Sequence, residues 1–509
     1  MPSWSGGVPV RWTRTPCHPR STRVITRIKA AFIIGYADGD HRILPDAELV
    51  HENDTILFVG RDYSGPVDRE VDAGLSIVSP GFIDLNALAD IDHAIFDSWH
   101  GPATRLGLVR SEAHLQSSSP VFTPEELRFR REFALTQLAL NGITTLMPIA
   151  AESYLDWCED YEDLAHLARA VEDIGLRAYL GPSYRTHVPC TDGTRVLLHE
   201  DEQRGLDGLA EAIRFARDHE GRADGRIRTA LLPARIETQT EKTLRLTRQA
   251  ADELGIPVRL HAAQGVSEVE TMIERTGMRP LPYLHSIGFL TERTFIPHAW
   301  TVPGHRHMPG AYGDGDDLAL LAESGTTVVF CPIPSAHYGS VLEDYDAYRA
   351  RGIRVVMGTD SAPPNMIRGL DLAMAMQKTA TGDRASAQAG DLFRSATLDP
   401  AEALGRDDLG RLAPGCQADY FVLDLTGRHI GPYADPIRTL VLNADGRDIS
   451  RVVVAGRTVV EDHEVVTVDT SDHRRRAQDF LNRYMASLTD SDHARRPLEE
   501  LLPPSFPLA

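Results

Sequence analysis

Three polar side chains stand at the ends of predicted strands, and their types could support metal or acid–base chemistry. His261 lies in the run PVRLHAA, His298 in TFIPHAW, and Asp360 ends RVVMGTD; we call these three residues the triad. Two imidazoles and one carboxylate can hold a zinc or iron ion, and the same groups can transfer protons. Singly, each residue also suits a loop, a hydrogen-bonded buried histidine or a helix N-cap. Their shared position at strand ends favours one common site.

A regular alternation of apolar runs and helix-like segments would bring these side chains together. Eight apolar runs are predicted strands, namely 77–85, 142–149, 176–183, 227–234, 257–263, 294–300, 326–332 and 354–360. Eight strands with intervening helices indicate an α/β fold, a (β/α)8 TIM barrel, whose active site lies at the carboxyl ends of the strands. An open doubly wound sheet is the alternative, but no glycine-rich phosphate loop follows any of these runs.

Both ends of the chain differ from this alternation, because they are rich in short β-type runs separated by turns. We expect residues 22–78 and 406–468 to pair into one small composite β-sandwich beside a barrel over 79–405. The second segment contains ADYFVLDL, TLVLNADG and ISRVVVAGRTVVED. Residues 1–21 are predicted to be a disordered extension, and residues 469–509 a C-terminal helix and tail.

Charge and cysteine content limit the classes of partner. The chain carries 53 basic and 73 acidic side chains, a formal net charge of −20, which argues against nucleic acid or an anionic membrane as the main partner. Five scattered cysteines without a CxxC pair fit a reducing cytoplasm better than a disulfide scaffold. No apolar run reaches the roughly 18 residues of a membrane span. We therefore expect a cytoplasmic protein that acts on a small molecule.

Five short motifs follow in chain order: PGFID (80–84), NGITTL (141–146), LHAAQG (260–265), IPHAW (296–300) and GIRVVMGTDSAP (352–363). Together they resemble the amidohydrolase superfamily, above all its branch of triazine chlorohydrolases and cytosine, guanine and adenosine deaminases. The resemblance implies a (β/α)8 barrel, a divalent ion that lowers the pKa of bound water, and often a homodimer. It also implies hydrolysis of a C–N bond in a small, heterocyclic compound, by deamination or by opening of a cyclic amide or amidine.

The sequence departs from this family at residues that carry its chemistry. The family's strand 1 His-x-His corresponds here to Asn86 and Leu88, and its strand 5 glutamate to Gln264. Leucine has no lone pair for a metal, and an amide cannot carry a proton near neutral pH. The resemblance therefore implies at most a single divalent ion, zinc or iron, on the triad, and no tightly held binuclear centre.

The predicted catalytic set consists of His261, Gln264, His298 and Asp360. Asp360 and His298 are the expected proton carriers, whereas Gln264 can only donate and accept hydrogen bonds. His187 and His337 are the next candidates for proton transfer after Asp360 and His298. His337 is also a predicted substrate contact.

The stretch DIDH on the first βα loop adds Asp90, Asp92 and His93. Above the barrel mouth these residues could contact a cationic group of the substrate, supply a shifted metal ligand, or form a solvated loop. Asn86, at the end of strand 1, is a further predicted substrate contact.

Two other features invite a chemical interpretation. His305 and His307, in VPGHRHMPG, have the spacing of a metal motif, but the glycine- and proline-rich loop favours a mobile lid or a substrate loop. Cys331 ends strand 7, where a buried cysteine usually packs as a small apolar residue.

Three functional hypotheses remain open at this point. The first is a hydrolase of C–N bonds. The second is a metal-independent acid–base enzyme, a hydrolase, lyase or isomerase, on the same scaffold. The third is a non-catalytic barrel protein. The sequence does not identify the substrate.

Overall fold

The computed structural model describes residues 23–91, 109–117, 120–149, 155–361 and 363–507. The extension predicted for residues 1–21 lies outside the described residues. Within these ranges, none of the helices combines the length and the apolar composition that crossing a bilayer requires.

Strands dominate residues 25–88 and recur over 420–465, strands and helices alternate between these segments, and two helices follow the last strand. The strands are β1 Ile25–Ala37, β2 Asp40–Glu52, β3 Thr55–Gly60, β4 Arg69–Asp72, β5 Ser76–Pro80, β6 Phe82–Leu88, β7 Ile143–Ile149, β8 Arg177–Leu180, β9 Ser183–Tyr184, β10 His187–Thr191, β11 Val196–Glu200, β12 Ile227–Thr229, β13 Leu232–Pro233, β14 Val258–Arg259, β15 Thr294–Pro297, β16 Thr327–Phe330, β17 Val355–Met357, β18 Tyr420–Asp424, β19 Ile449–Val454, β20 Arg457–Glu461 and β21 Glu464–Val465. The α-helices are Glu112–Ser117, Pro124–Leu140, Tyr161–Ile174, Glu202–His219, Arg222–Gly225, Glu241–Leu254, Val266–Thr276, Pro280–Ser286, Asp317–Ser324, Pro332–His337, Tyr345–Ala350, Met366–Thr381, Ala389–Ala396, Leu398–Ala403, Pro436–Leu442, His473–Ser491 and Leu498–Leu501.

One nine-stranded sheet joins the two ends of the chain. Its strand order is β21-β20-β19-β18-β5-β1-β2-β3, and β4 pairs with β1. The junction is the antiparallel pair of β5 and β18, in which Tyr420 opposes Pro80 and Asp424 opposes Ser76. Because β5 is bonded on its other edge to β1, the ladder runs on without a break. The strands from the two end segments therefore form one continuous hydrogen-bonded sheet.

The run TLVLNADG, predicted as β-type, is partly helical. It overlaps the helix Pro436–Leu442, which begins where the Asp435 side chain accepts a hydrogen bond from the Arg438 backbone N–H. Proline suits the first turn of a helix, because its fixed φ is helical and its missing N–H would have no partner there. A local cap thus overrides the β preference of the following valine and leucines.

The central part of the chain builds two four-stranded parallel sheets. One has the order β12-β8-β7-β6, and the other β14-β15-β16-β17. Backbone contacts connect the edges of the two sheets. Leu231 bridges to Val258 on one side, and the Asp360 N–H donates to the Asn86 carbonyl at 2.9 Å on the other. The predicted α/β class is confirmed.

The predicted first strand, 77–85, is two strands. Ser76–Pro80 belongs to the nine-stranded sheet, and Phe82–Leu88 begins the parallel series. Between them, a Cβ at Gly81 would lie 2.1 Å from the side-chain oxygen of Thr144. Only glycine lets the chain pass this close to the neighbouring strand, so the change of sheet falls at Gly81.

A buried ion cluster fixes the helix Pro124–Leu140 against the strand ends. The Arg131 side chain is 1% exposed and pairs with Glu159 and, at 2.6 Å, with Asp163. It also donates to the Ala89 carbonyl at 2.7 Å, just past β6. Because a buried charge is stable only when it is paired, these contacts determine where the helix sits relative to β6.

We expect Arg131→Met to lower the free energy of unfolding by about 3–5 kcal/mol, because the buried Glu159 carboxylate loses its cation. Urea denaturation followed by circular dichroism measures the change. The control variant, Arg475→Met, removes an arginine whose side chain is 64% exposed, and it should cost less than about 1 kcal/mol. Equal losses in the two variants would contradict the role assigned to the cluster.

Candidate functional site

The triad converges at the carboxyl ends of three parallel strands. One ligand-type atom from each of His261, His298 and Asp360 lies within 4.8 Å of the other two. His298 Nε2 is 3.4 Å from an Asp360 carboxylate oxygen, and the two imidazole centroids are 5.6 Å apart. Both histidines are buried. The structure thus brings the three residues into one site.

The backbone at these positions is unusual. The φ angle is 67° at His298, 56° at Asp360 and 55° at Ala263. Left-handed conformations are costly for residues other than glycine, and they cluster where a side-chain direction matters for function. The N–H of His298 donates to the Val329 carbonyl at 2.8 Å, which anchors this turn to the next strand.

Both imidazoles are neutral. His261 Nδ1 lies 3.1 Å from the Ala234 carbonyl oxygen, so Nδ1 donates there and Nε2 keeps its lone pair. Burial, with the charges of Arg259 and Arg235, holds the pKa of His261 well below its usual range. Burial, together with Arg235, lowers the pKa of His298 to about 3. Neutral imidazole is the form that accepts a proton or binds a metal.

This donor set fits one divalent ion. Two neutral imidazoles and a carboxylate lie within reach of a common ion, and three protein ligands with an open position are typical of catalytic zinc sites. His298 Nε2 is buried and makes no hydrogen bond among the described residues, although an Asp360 carboxylate oxygen lies 3.4 Å away. A buried nitrogen that makes no hydrogen bond is costly, and a metal at the triad would bind its lone pair.

The side chains of β6, the first strand of the parallel series, make packing and hydrogen-bond contacts beside the triad aspartate. Asn86 is fully buried, and its amide nitrogen donates to the Cys331 sulfur at 3.6 Å. Leu88 is buried at the end of β6. Asp84 accepts hydrogen bonds from the Thr359 N–H at 3.2 Å and the Thr359 hydroxyl at 2.6 Å. These last bonds tie β6 to the residue that precedes the triad aspartate.

Gln264 is held by an arginine from the neighbouring strand end. Arg235 Nη1 donates to Gln264 Oε1 at 2.7 Å, and the Arg235 backbone bridges to His261. Since Oε1 faces the guanidinium, the amide NH2 is turned away from it and can donate to another acceptor. Gln264 therefore offers a directed hydrogen bond.

A second arginine lies in the interior, one layer nearer the amino ends of the strands. Arg259 precedes His261 by two residues, so the two side chains leave the extended chain on the same face. Arg259 is 3% exposed, and its Nη1 donates to the Met147 carbonyl on β7 at 3.1 Å. Burial lowers the pKa of Arg259 to about 10, while the negative charges of Asp360 and Asp84 act to raise it. The guanidinium remains charged at neutral pH.

Glu268 supports the loop that carries Gln264. From the first turn of the helix Val266–Thr276, its carboxylate accepts the N–H of Ala263 at 2.6 Å and that of Gln264 at 3.0 Å. Burial, with the charge of Glu237, raises the pKa of Glu268 to about 8. A buried proton-binding group thus contacts the loop that follows His261.

Two of the remaining predicted substrate contacts, Asp90 and His337, lie outside the triad cluster. The Asp90 side chain is fully buried and pairs with Arg130, so the predicted substrate contact is corrected to an ion pair that neutralises this carboxylate. Asp92 and His93 lie outside the described residues. His337 is exposed at the end of a short helix and is not part of the triad cluster.

The His-x-His pair is a backbone clamp. His305 Nε2 donates to the Val341 carbonyl at 2.9 Å, and its Nδ1 accepts the His307 N–H at 3.1 Å. With both ring nitrogens occupied, His305 fixes the loop after β15 against the loop after β16 and has no lone pair left for a metal. His187 lies apart from the triad on β10, bonded to the Thr186 hydroxyl at 2.8 Å.

The sequence pattern did not identify Arg235, Arg259 and Glu268 as parts of the site. Arg259 had a detectable signal, because a charged residue that alternates with a histidine in the run PVRLHAA must share its face. Arg235 and Glu268 had none, since their roles depend on contacts that only the folded loops create.

Known relatives resemble this chain over most of its length. The model of the Amidohydrolase family matches residues 77–459. The 5-methylthioadenosine/S-adenosylhomocysteine deaminase of Natronomonas pharaonis is 30% identical over 441 residues, which cover 85% of this chain and 92% of that protein.

Two solved structures share the fold. An adenosine deaminase from Xanthomonas campestris with bound zinc has a TM-score of 0.70 at 21% identity, covering 91% of this chain and 98% of its own. The atrazine chlorohydrolase of Arthrobacter aurescens complexed with zinc has a TM-score of 0.72 at 23% identity, covering 90% and 100%. At these identities the likeness concerns the fold alone.

Glu268 should make stability depend on pH. Its folded pKa of about 8 lies above its ordinary value of 4.5, so the folded chain binds this proton more tightly than the unfolded chain does. The free energy of unfolding should therefore fall as pH rises through this window. Glu268→Gln should remove up to about 1.4 kcal/mol per pH unit of that slope, as measured by urea denaturation at several pH values. The control is Glu270→Gln, which changes an exposed acid of the same helix and should leave the pH slope unchanged. If Glu268→Gln has the same slope as the wild type, the raised pKa assigned to Glu268 is wrong.

Proposed function

Because the chain belongs to the amidohydrolase family, we propose that it is a hydrolytic deaminase that replaces the exocyclic amino group of a purine nucleoside or a related heterocycle by oxygen. The broader predictions, an amidohydrolase and a hydrolase of C–N bonds in small heterocyclic molecules, are confirmed by the family match and the deaminase relative. The purine nucleoside is the finer proposal, and it is supported by the substrates in that relative's name.

The observation that carries the proposal is the convergence of His261, His298 and Asp360 within 4.8 Å. The chain keeps the left-handed backbone at His298 and Asp360 although such strain costs stability. A protein that had lost catalysis would have no need to maintain this strain. The geometry therefore favours an enzyme over a non-catalytic barrel.

The proposed catalytic unit is one closed (β/α)8 barrel over residues 79–405, with 22–78 and 406–468 forming the composite β-domain. Two contacts support closure: the bridge from Leu231 to Val258 and the hydrogen bond from Asp360 to Asn86. They lie at the two places where a four-stranded sheet would otherwise end.

Deamination consumes one water. Its oxygen bonds to the ring carbon, the bond from that carbon to the exocyclic nitrogen breaks, and ammonia leaves. Asp360 is the proposed group that takes the proton from water, and it can exchange that proton with His298 Nε2, 3.4 Å away. Because Gln264 cannot carry a proton, we assign the proton that the leaving nitrogen receives to one of these two groups. Gln264, oriented by Arg235, would donate a hydrogen bond to a ring nitrogen.

A single divalent ion fits this proposal. The triad would hold it, and when bound it would supply Lewis-acid activation of water. Metal-independent acid–base chemistry by Asp360 and His298 is the second candidate. One observation favours it: Arg259 already places a fixed positive charge in the interior.

The purified chain should release ammonia from 5′-methylthioadenosine or S-adenosylhomocysteine. Asp360→Asn should lower kcat by about a hundredfold or more, because an amide cannot take the proton. The control, Asp391→Asn, changes a carboxylate that is 43% exposed and should retain full activity. Absence of turnover on a panel of purine and triazine substrates would reject the deaminase proposal, and a fully active Asp360→Asn variant would reject both candidate mechanisms.

The chain should hold no more than one ion, because the amide of Asn86 and the aliphatic Leu88 replace the family's strand 1 imidazoles. Elemental analysis of protein purified without chelator measures this. Two firmly bound ions per chain would contradict it. Activity that survives exhaustive chelation supports the metal-independent candidate, whereas activity lost and then restored by one equivalent of zinc or iron supports the ion.

A further inference from the structure

We propose that Arg259 is a resident cation of the triad site and that its charge weakens the binding of a divalent ion there. The inference rests on the proposed function in one respect, namely that the triad is the place where an ion would bind. It goes further by naming a residue that sets how tightly the ion is held.

The first support is the path of the side chain. Arg259 leaves β14 on the same face as His261, and its Nη1 reaches the Met147 carbonyl on β7 at 3.1 Å. These two strands belong to different four-stranded sheets, so the side chain extends across the space between them. With 3% of its surface exposed, the guanidinium is shielded from water, and its charge acts on its neighbours over a longer range than at a surface.

The second support is the lack of direct compensation for this charge. Arg259 Nε is buried and has no hydrogen-bond partner among the described residues, and its Nη1 bonds to a neutral carbonyl. The negative charges that act on the guanidinium include Asp360 and Asp84. The positive charge of Arg259 therefore partly neutralises the carboxylate of Asp360, which a divalent ion at the triad would need as a ligand.

The charges around the triad show the consequence. The carboxylates of Asp360 and Asp84 act on Arg259, and the imidazoles of His261 and His298 are neutral. Whatever the other charges around the triad, Arg259 adds one positive charge that a divalent ion bound there would not meet if this side chain were neutral. In a buried site, repulsion between the guanidinium and the ion opposes binding directly.

The test is titration of zinc into chelator-stripped full-length protein, in competition with a chromophoric chelator. Four proteins are compared: wild type, Arg259→Met, Arg259→Lys and Arg248→Met. Arg259→Met removes the charge and keeps much of the volume, so it should tighten zinc binding by at least about tenfold. Arg259→Lys keeps the charge and should stay within about threefold of wild type. Arg248 is also buried, but it contacts Thr291 and Thr294 at the amino end of β15, so Arg248→Met should bind zinc like wild type.

Adding His298→Ala to Arg259→Met should abolish the tight binding, which assigns the ion to the triad. The inference is overturned if Arg259→Met binds zinc no more tightly than wild type, if Arg259→Lys tightens binding as much as Arg259→Met, or if His298→Ala leaves the binding intact. Should Arg259→Met fail to fold, as judged by thermal unfolding, Arg259→Gln takes its place with the same expectation. Because zinc affinity is measured without substrate, this outcome is independent of whether the chain proves to be a deaminase.

Discussion

The contact between β6 and the segment after β17 is the constraint on which the site depends. Asp84 accepts the N–H and the hydroxyl of Thr359, and the next residue, Asp360, donates its own N–H to the Asn86 carbonyl. These bonds place the first and last strands of the parallel series side by side. They also fix the left-handed turn at Asp360, without which its carboxylate would have no set direction toward His298. Burial raises the pKa of Asp84 to about 6, while the bonds from Thr359 act to lower it.

A second set of contacts positions the residues of strand 5. The N–H groups of Ala263 and Gln264 are both bound by Glu268, and the Gln264 side chain is bound by Arg235. These contacts hold the backbone and the side chain of Gln264 in one orientation. This supports the proposal that Gln264 serves recognition, since an amide held in one orientation can form a directed hydrogen bond with a ring nitrogen.

The triad could be predicted because the carboxyl ends of parallel strands share one edge, so His261, His298 and Asp360 had to converge if the strand assignments were right. Asp90 could not be placed, because its burial depends on Arg130, which is distant in sequence and has no pattern that pairs the two. The helix at 436–442 could not be separated from a strand by its apolar run alone, since a capping contact of one aspartate decides it. Local caps and long-range ion pairs are the interactions that periodicity does not reveal.

Two residues bear on the charge of the site. The resemblance to the family implies that Gln264 stands where relatives carry a carboxylate, and Arg259 places one positive charge in the interior. The loss of the two strand 1 imidazoles removes ligands but no charge, because neutral histidine is the binding form. Under the inference drawn for Arg259, such a site would hold a divalent ion less firmly and would tolerate an anion, such as the oxyanion formed when water adds to a ring carbon, more readily. We therefore propose that the residues of strands 1 and 5 act together: where imidazole ligands for an ion are absent, the fixed charge of Arg259 would supply part of the positive charge that the reaction needs.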